Sequence, residues 1–236
     1  MTDLHAHILP GLDDGAADMD EALAMCRIAA TDGITSIVAT PHTGNGVYTN
    51  TRQTVLAAVD ALNGRIREEG IGVTIFPGAD VHVDHDIVGM LASGEAMTVN
   101  DNGRYMMVEL PHQTIPPNFD DWIFAVRLKG ITPIITHPER NLAIERNIKE
   151  LARWVELGVL VQITAMSVTG RFGASVGKAA HDMLERNLVH VIASDAHSVK
   201  RRPPILSEAR DEAARLLGDV RADQLVRAYP AMIMKG

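Results

Sequence analysis

Two histidines near the start of the chain, His5 and His7, have the spacing of a metal-binding pair. Polar and apolar residues alternate around them, which predicts a short β-strand with side chains two positions apart on the same face. Their imidazoles would converge on one point and supply half of a metal site. After the next turn, either Asp13 or Asp14 could bring a carboxylate to the same point. Taken alone, the histidine pair could also be a chance occurrence on an exposed strand face.

Similar residues end most of the other candidate strands, whose interiors are apolar. These strand-end residues are His42, Asp80, Glu109, His137, Asp195 and His197. In a parallel barrel all strand C-termini open on one face, where such enzymes place their chemistry. Imidazoles and carboxylates there cost free energy unless they are paired or coordinated. Any one of them could be a surface residue or be satisfied by a backbone carbonyl, but together they predict a metal cluster.

The other five histidines lack this placement. We interpret them as surface or packing residues: His82, His85, His112, His181 and His190. His112, which follows Glu109 closely, could alternatively reach the rim of the site.

Short apolar runs alternate with longer helical segments along the whole chain. The candidate strands are 2–7, 34–41, 72–80, 104–110, 131–137, 159–165 and 189–195. Helical patterns lie near 18–32, 51–69, 85–93, 119–130, 141–157, 174–187 and 204–218. This alternation predicts a parallel sheet with right-handed crossovers, covered by helices on both faces. Because no Gly-x-Gly-x-x-Gly follows the first strand and polar groups lie at the strand ends, a closed (β/α) barrel is favoured over an open doubly wound sheet.

The single cysteine, Cys26, lies in the apolar stripe of the first predicted helix, which begins at the capping signal Asp18-x-x-Glu21. We expect it to be buried. One cysteine excludes an internal disulfide framework and a cysteine-rich zinc site, and it fits a reducing compartment. The Cys-x5-Arg phosphate loop of cysteine phosphatases requires arginine at position 32, where this chain has Asp32. A cysteine nucleophile is therefore excluded.

Composition limits the class of protein. The 236 residues are 46% hydrophobic and 22% charged, which is typical of a soluble protein, and we expect one domain over residues 1–236. The net charge of −8 argues against a nucleic-acid partner, because phosphate neutralisation needs clustered Lys and Arg. It suits a protein that holds cations. No signal peptide or membrane-spanning stretch is visible, so we expect a cytoplasmic protein without direct membrane insertion.

The same residues carry a family resemblance. The motifs Asp3-x-His5-x-His7, Pro41-His42, Glu109, His137-Pro138-Glu139-Arg140 and Ser194-Asp195-x-His197 resemble those of the polymerase-and-histidinol-phosphatase (PHP) superfamily. Its members are distorted, TIM-barrel-like (β/α)7 barrels with a trinuclear metal centre. More particular segments are 7–16, 39–42, Gly46-Val47-Tyr48, 189–197 and Arg202-Pro203-Pro204. These resemble the manganese-dependent tyrosine phosphatases of bacterial capsule and exopolysaccharide loci, the CpsB/CapC group, over nearly the whole chain.

The resemblance implies three metal subsites. His5 and His7 with Asp195 would hold one divalent ion. Glu109 and His137 would hold a second ion, which Asp80 would bridge to the first. Asp14, His42 and His197 would hold the third. Manganese is the expected metal, although His, Asp and Glu mixtures also accept iron, cobalt or zinc.

Two arginines, Arg140 and Arg202, match arginines that the group places near the substrate phosphate. Each has an alternative role. Arg140 could form a salt bridge with Glu139 or Glu145, and Arg202 could be a solvated member of a basic run.

The chain departs from the family pattern at two positions. Asp80 stands where the family usually has Glu, and the lost methylene shortens the reach by about 1.5 Å. Bridging would then require a shift of the metals or of the strand, so we expect metal occupancy or preference to differ. Thr43 replaces a second histidine often seen after the Pro-His pair, which puts one neighbouring contact in doubt.

The resemblance implies a metal-dependent protein-tyrosine phosphatase. A metal-bound hydroxide would attack phosphorus in line with the leaving tyrosine oxygen, without a covalent phosphoenzyme. The implied substrate is the autophosphorylated tail of a bacterial tyrosine kinase in capsule or exopolysaccharide regulation. Alternatives are a small-molecule phosphomonoesterase such as a histidinol phosphatase, a nuclease, which would need a basic surface, and a non-catalytic metal-binding regulator of a kinase complex.

The histidine pair gives a direct test. Replacing His5 or His7 with Ala should remove a metal and most phosphatase turnover while the fold stays intact. Metal analysis, an aryl phosphate assay and circular dichroism measure the three quantities. Full activity in either variant would exclude hydrolysis by a metal-bound hydroxide.

Overall fold

Short parallel strands form the centre of the computed structural model, which describes residues 1–83, 86–93 and 96–236. The strands are β1 (Thr2–Ala6), β2 (Ser36–Ala39), β3 (His42–Thr43), β4 (Thr74–Pro77), β5 (Asp80–His82), β6 (Tyr105–Glu109), β7 (Thr132–Thr136), β8 (Leu160–Thr164) and β9 (Val191–Ala193). One sheet has the order β1-β2-β4 and the other has the order β3-β5-β6-β7-β8-β9. The pairs within both sheets are parallel.

The two sheets together form a barrel with seven strand positions. β3 continues the path of β2 after two residues, and β5 continues that of β4, so each pair occupies one position. The ring closes between β1 and the segment after β9, where Ala6 bridges Ala196 in parallel. The amide of Asp195 donates to the carbonyl of His5 over 2.8 Å, and the amide of His7 donates to the carbonyl of Ala196 over 2.8 Å. The expected distorted (β/α)7 barrel is confirmed.

Two of the predicted strands are interrupted. The segment 34–41 ends at Ala39, and Pro41, which has no N–H group to donate, separates it from β3. The segment 72–80 breaks at Gly78, where an added Cβ would lie 2.6 Å from Val38 Cγ1. Only a glycine allows the chain to pass so close to β2. These breaks shift the following strand pieces, so that His42 and Asp80 each begin a new one.

Helices surround the strands and occupy most of the predicted ranges. They are α1 (Met19–Thr31), α2 (Arg52–Glu68), α3 (Ile87–Ser93), α4 (Phe119–Leu128), α5 (Leu142–Arg146), α6 (Ile148–Glu156), α7 (Ala165–Val168), α8 (Ala174–Glu185), α9 (Ser207–Leu217), α10 (Asp219–Asp223) and α11 (Tyr229–Lys235). Short 3-10 turns cover Val99–Asp101 and Pro138–Arg140, and a π-helical turn covers Gln224–Ala228. The single helix predicted over 141–157 is two helices, separated at Asn147 by a non-helical backbone (φ −144°, ψ 74°).

The capping signal at the first helix is confirmed. The Asp18 side chain accepts from the amide of Glu21, and the Glu21 carboxylate accepts from the amide of Ala17. These two bonds satisfy backbone donors that the first helical turn leaves free.

The barrel interior is apolar and is closed at one end by the C-terminal helix. Its residues alternate along the strands and come together as Leu4, Val38, Val99, Met107, Ile134, Val191, Ala193 and Ile233. Ile233 belongs to α11, a helix that the sequence pattern did not indicate. Asn100 and Asn102 donate to the backbone carbonyls of Met234 and Ile233, and these bonds hold the helix in place. The polar strand ends open at the other end of the barrel.

None of the helices in the described ranges is long and apolar enough to cross a membrane.

Cys26 is fully buried in α1, as expected from its place in the apolar stripe. Burial raises the pKa of its thiol to about 12, so the thiol stays protonated at neutral pH and is a poor nucleophile.

Cys26 should therefore resist alkylation in the native protein. At pH 8, well below the raised pKa, iodoacetamide should leave the folded chain unmodified, and denaturant should allow full modification. Mass spectrometry measures the extent of labelling. The Cys26→Ser variant should retain activity, and rapid labelling of the native protein with loss of activity would contradict a buried, inert thiol.

Candidate metal centre

The residues predicted as metal ligands come together where the barrel strands end. They are His5, His7, Asp14, His42, Asp80, Glu109, His137, Asp195 and His197. Parallel strands bring their C-terminal ends to one rim of a barrel, and this topology places residues from distant parts of the chain side by side. Most are almost fully buried, whereas the Asp14 side chain is 53% exposed and marks the solvent side of the group.

The β1 pair is held in a defined orientation. The Nε2 atoms of His5 and His7 lie 3.1 Å apart, and each lies 3.5 Å from Oδ1 of Asp195. On the opposite side of each ring, Nδ1 of His5 lies 3.0 Å from Oε1 of Gln162, and Nδ1 of His7 lies 2.6 Å from Oδ2 of Asp13. An oxygen acceptor at Nδ1 places the proton there and leaves Nε2 free to bind a metal. The two Nε2 atoms thus face a shared point from neighbouring positions.

Asp13 and Asp14, the acidic pair after β1, make different contacts. Asp13 binds His7 and also accepts from the amides of Gly15 and His42, each over 3.0 Å. Burial opposes its charge, but the hydrogen bond and charge of His7 lower the pKa of Asp13 to about 2. Asp14 instead points its Oδ1 toward Nε2 of His42, at 3.6 Å, and Nε2 of His197, at 3.5 Å. Asp14 thus faces the same point as these two histidines, whereas Asp13 contacts the outer nitrogen of His7.

Asp80 lies at the middle of the group. Its Oδ2 atom is 3.6 Å from His5 Nε2, 3.8 Å from His137 Nε2 and 3.9 Å from His42 Nδ1. Glu109 lies beyond, with its two oxygens 3.4 Å from His42 Nδ1 and 3.7 Å from His137 Nε2. Although aspartate is shorter than the glutamate usual in the family, its carboxylate reaches the histidines on both sides.

The imidazoles and carboxylates of this group do not satisfy one another fully, and a bound cation would complete their contacts. Oδ2 of Asp80 and Nδ1 of His42 are buried without a hydrogen-bond partner in the described part of the chain. Burial, reinforced by the charge of Asp80, raises the pKa of Glu109 to about 8. Such an excess of buried negative charge is stabilised by divalent cations, and imidazole with carboxylate is a suitable donor set.

The described residues contain three groups of donor atoms in which every atom lies within 4.8 Å of the others. They are His7-Asp14-His42-His197, His5-His7-Asp80 and His42-Asp80-Glu109. The division differs from the one that the family resemblance implies, because His7, His42 and Asp80 each belong to two groups. His137 and Asp195 adjoin these groups through the distances given above. Any of the three groups could hold a metal ion.

The two predicted phosphate-binding arginines lie beside this centre. Nη1 of Arg140 donates to Oδ2 of Asp195 over 2.8 Å, and Arg202 forms an ion pair with the same oxygen. Arg140 thus pairs with Asp195, whereas Oε1 of Glu139 accepts from the amide of Thr164 over 2.9 Å. Nε of Arg202 is buried and has no hydrogen-bond partner among the described residues, so a donor remains available at the site.

The remaining histidines have several roles. His181 lies 2.9 Å from the carbonyl of Val168, and His190 accepts from the amide of Val161, as expected for packing residues. The His112 ring lies 6.4 Å from that of His137, which places it at the rim of the site. His82 ends β5 and is half-buried, and the prediction for His85 lies outside the described residues.

Two side chains near His42 complete the rim. The Tyr48 ring stacks on the His42 ring, with centroids 6.1 Å apart and planes inclined by 13°. Thr43, at the position of the missing second histidine, donates its hydroxyl to the carbonyl of Asn50 over 3.4 Å. Thr43 thus stabilises the loop that carries Tyr48.

Sequence reasoning did not identify the orienting role of Gln162. It is a buried polar residue inside an otherwise apolar strand, and this exception to the strand pattern was the available signal. Asp13 was recognised only as an alternative to Asp14.

Comparisons with known proteins identify relatives of this chain. A family model for capsular polysaccharide synthesis proteins, CpsB/CapC, matches residues 1–235. The tyrosine-protein phosphatase YwqE of Bacillus subtilis is 40% identical over 202 residues, which cover 86% of this chain and 79% of YwqE. The tyrosine-protein phosphatase CpsB of Streptococcus pneumoniae is 30% identical over 239 residues, which cover 99% of this chain and 98% of CpsB.

A solved structure is also similar to this chain. It comes from work on YwqE of Bacillus subtilis and CpsB of Streptococcus pneumoniae, described as unique metal-dependent tyrosine phosphatases. It superposes with a TM-score of 0.96 at 36% identity and covers 100% of this chain and 94% of its own. The two proteins therefore share the barrel fold over the whole of this chain.

The orienting role of Asp13 can be tested by metal affinity. Asp13→Asn should weaken metal binding about 10- to 100-fold, the usual cost of removing a carboxylate that orients a ligating histidine. Competition with a chelator of known affinity measures the change. The control Asp20→Asn makes the same charge change at an exposed position of α1 and should leave affinity unaltered. Equal affinities in the two variants would show that Asp13 does not orient a metal ligand.

Proposed function

This chain belongs to the CpsB/CapC family, and on that premise we propose that it is a metal-dependent protein-tyrosine phosphatase. The observation that carries the proposal is the pair of guanidinium groups, Arg140 and Arg202, beside a buried cluster of imidazoles and carboxylates. Metal ligands next to paired arginines form a suitable binding site for a phosphate monoester.

The proposed ligands are the nine residues gathered at the strand ends, and we propose three divalent ions per chain, with manganese as the physiological metal. His7, His42 and Asp80, which each belong to two donor groups, would contribute a ligand atom to holding these ions. When bound, such ions lower the pKa of a water molecule and neutralise charge on phosphate oxygens. The protein supplies their positions through the strand ends and through the acceptors at Nδ1 of His5 and His7.

The arginines bind the phosphate. Each guanidinium carries five N–H groups, so it can keep its ion pair with Asp195 and still donate to a phosphate oxygen. Asp195, whose side chain is 2% exposed, fixes both groups at the edge of the donor cluster. Its pKa lies well below the usual range because His5, His7 and Arg202 outweigh the effect of burial. It therefore remains an anion that holds the arginines in place at neutral pH.

The loop after β3 accommodates the aromatic part of the substrate. Tyr48 exposes a ring face next to His42, and a cavity of about 450 Å³ lies along Thr43, Tyr48 and Met90. An aromatic ring and an apolar cavity beside His42 suit a phosphotyrosine side chain, because aromatic rings prefer stacked contacts.

The reaction requires no covalent enzyme intermediate. Cys26 is enclosed in the hydrophobic core of α1 with a protonated thiol, so it takes no part in phosphoryl transfer. Hydrolysis would proceed by direct displacement at phosphorus, with the tyrosine oxygen leaving opposite the attacking water.

We further propose that the substrate is an autophosphorylated bacterial tyrosine kinase in the cytoplasm. The family description as capsular polysaccharide synthesis and the phosphatase names of the relatives support a role in regulating that process. The net charge of −8 does not favour a nucleic-acid substrate.

The function is tested by chelation and reconstitution. Metal removal should abolish hydrolysis of a phosphotyrosine peptide, and manganese should restore it better than iron, cobalt or zinc. Histidinol phosphate serves as the competing substrate, and faster turnover of it would indicate a small-molecule phosphatase. Absence of metal-dependent turnover with any aryl phosphate would instead indicate a non-catalytic metal-binding protein.

The arginines are tested by substitution. Arg140→Lys or Arg202→Lys should lower kcat/KM for the phosphotyrosine peptide about 10- to 100-fold, because lysine cannot reproduce the planar set of donors. Metal content should not change. Arg201→Lys, an exposed neighbour in the same basic run, is the matched control and should retain full activity. An effect equal in Arg201→Lys and Arg202→Lys would contradict a specific role for Arg202.

A further inference from the structure

Phe172 is the aromatic residue that both site arginines contact. The guanidinium carbon of Arg140 lies 5.2 Å from the centre of its ring, and that of Arg202 lies 5.6 Å from it. Both distances are within the range of a cation–π interaction. One ring therefore contacts two cations that come from different parts of the barrel rim.

The Phe172 ring is not part of the hydrophobic core. Phe172 is half-buried and lies in the loop between α7 and α8. It is outside both the barrel interior and the larger cluster of buried apolar side chains from the strands and helices. A large aromatic residue that is not used for core packing needs another explanation for its place, and the ring of Phe172 contacts Arg140 and Arg202.

The loop that carries Phe172 has a defined backbone. The amide of Arg171 donates to the carbonyl of Met166 over 2.9 Å, and the amide of Gly173 donates to the carbonyl of Gly170 over 3.0 Å. Gly170 and Gly173 have φ values of +74° and +100°, which residues with a side chain rarely adopt. Phe172 is thus presented from a tight, hydrogen-bonded turn.

The two arginines need such a support because they repel each other. Arg140 follows the turn after β7, Arg202 belongs to the segment after β9, and both direct a nitrogen at one oxygen of Asp195. When a phosphate enters, the arginines must turn donors toward it, and the carboxylate alone no longer determines their orientation.

We propose that Phe172 is a positioning residue that holds the guanidinium groups of Arg140 and Arg202 side by side for binding the substrate phosphate. This inference rests on the proposed phosphatase function. The ring face attracts both cations and restricts their planes, so the two groups are aligned before the phosphate arrives.

The test compares three variants by their affinity for inorganic phosphate, measured as competitive inhibition of phosphotyrosine peptide hydrolysis. Phe172→Leu keeps apolar volume and removes the ring, and it should raise the inhibition constant roughly three- to thirtyfold, as expected from losing two partly exposed cation–π contacts. Phe172→Tyr keeps the ring face and should stay close to wild type. Arg171→Ala changes the neighbouring loop residue, which pairs with Glu208, and should also match wild type.

A second measurement separates positioning from general stability. Phe172→Leu should raise KM in parallel with the phosphate inhibition constant, while its metal content and unfolding temperature stay unchanged. In an Arg202→Lys background, the further loss caused by Phe172→Leu should be clearly smaller, because residues that act through one another are not additive.

Three results would overturn the proposal. One is an unchanged phosphate inhibition constant in Phe172→Leu. Another is a raised KM for the peptide with unchanged phosphate affinity, which would place the ring against the tyrosyl group instead. The third is a Phe172→Tyr variant as impaired as Phe172→Leu.

Failure of the proposed function itself has a separate signature. If the wild-type protein hydrolyses no phosphotyrosine peptide, calorimetric titration with inorganic phosphate replaces inhibition and compares the same variants. Phosphate binding that depends on Phe172 would then support the positioning role without the phosphatase activity. If the wild-type protein does not bind phosphate either, both proposals are wrong.

Discussion

The structure depends on the cost of burying charged groups where the barrel strands end. Asp80 is completely buried and Asp195 nearly so, and a buried carboxylate is unfavourable unless cations or hydrogen-bond donors surround it. The fold meets this requirement in two ways. Asp195 is neutralised by two arginines, and Asp80 is surrounded by imidazoles, with one oxygen left without a hydrogen-bond partner among the described residues. The second arrangement is compatible with a bound cation, and it is what distinguishes a metal centre from an internal salt bridge.

The same constraint shapes the closure of the barrel. Asp3, fully buried in β1, accepts from the amide of Ser194 over 2.9 Å and from the Ser194 hydroxyl. Burial raises the pKa of Asp3 to about 6, although these hydrogen bonds partly oppose the shift. This contact joins the first strand to the end of the last one, directly beneath His5 and Asp195. The bond that closes the ring therefore also sets the spacing of the site residues on its two sides.

The proposed function depends on the residues that orient the ligands and arginines as well as on the ligands themselves. Asp13 and Gln162 determine which nitrogen of His7 and His5 faces the centre, and Phe172 contacts the arginines that would bind phosphate. A metal site in which these supports are loose would hold its ions in variable positions. The departure at Asp80 is consistent with this view, since strand β5 begins at that residue and brings the shorter side chain into the middle of the group.

Much of this protein could be read from residue type and order. The alternation of strands and helices predicted a parallel sheet covered by helices, and polar residues after apolar strands favoured a closed barrel and identified the site. Local sequence also determined the cap at Asp18 and the burial of Cys26, since both depend on neighbours within a few residues. Tertiary structure decided what depends on distant partners: the breaks at Pro41 and Gly78, the C-terminal helix under the barrel, and the grouping of the ligands. Gln162, Asp13 and Phe172 acquire their roles only when folding brings them to His5, His7 and the two arginines, because a hydrogen bond or a ring contact is defined by distance in space and leaves no periodic pattern in the chain.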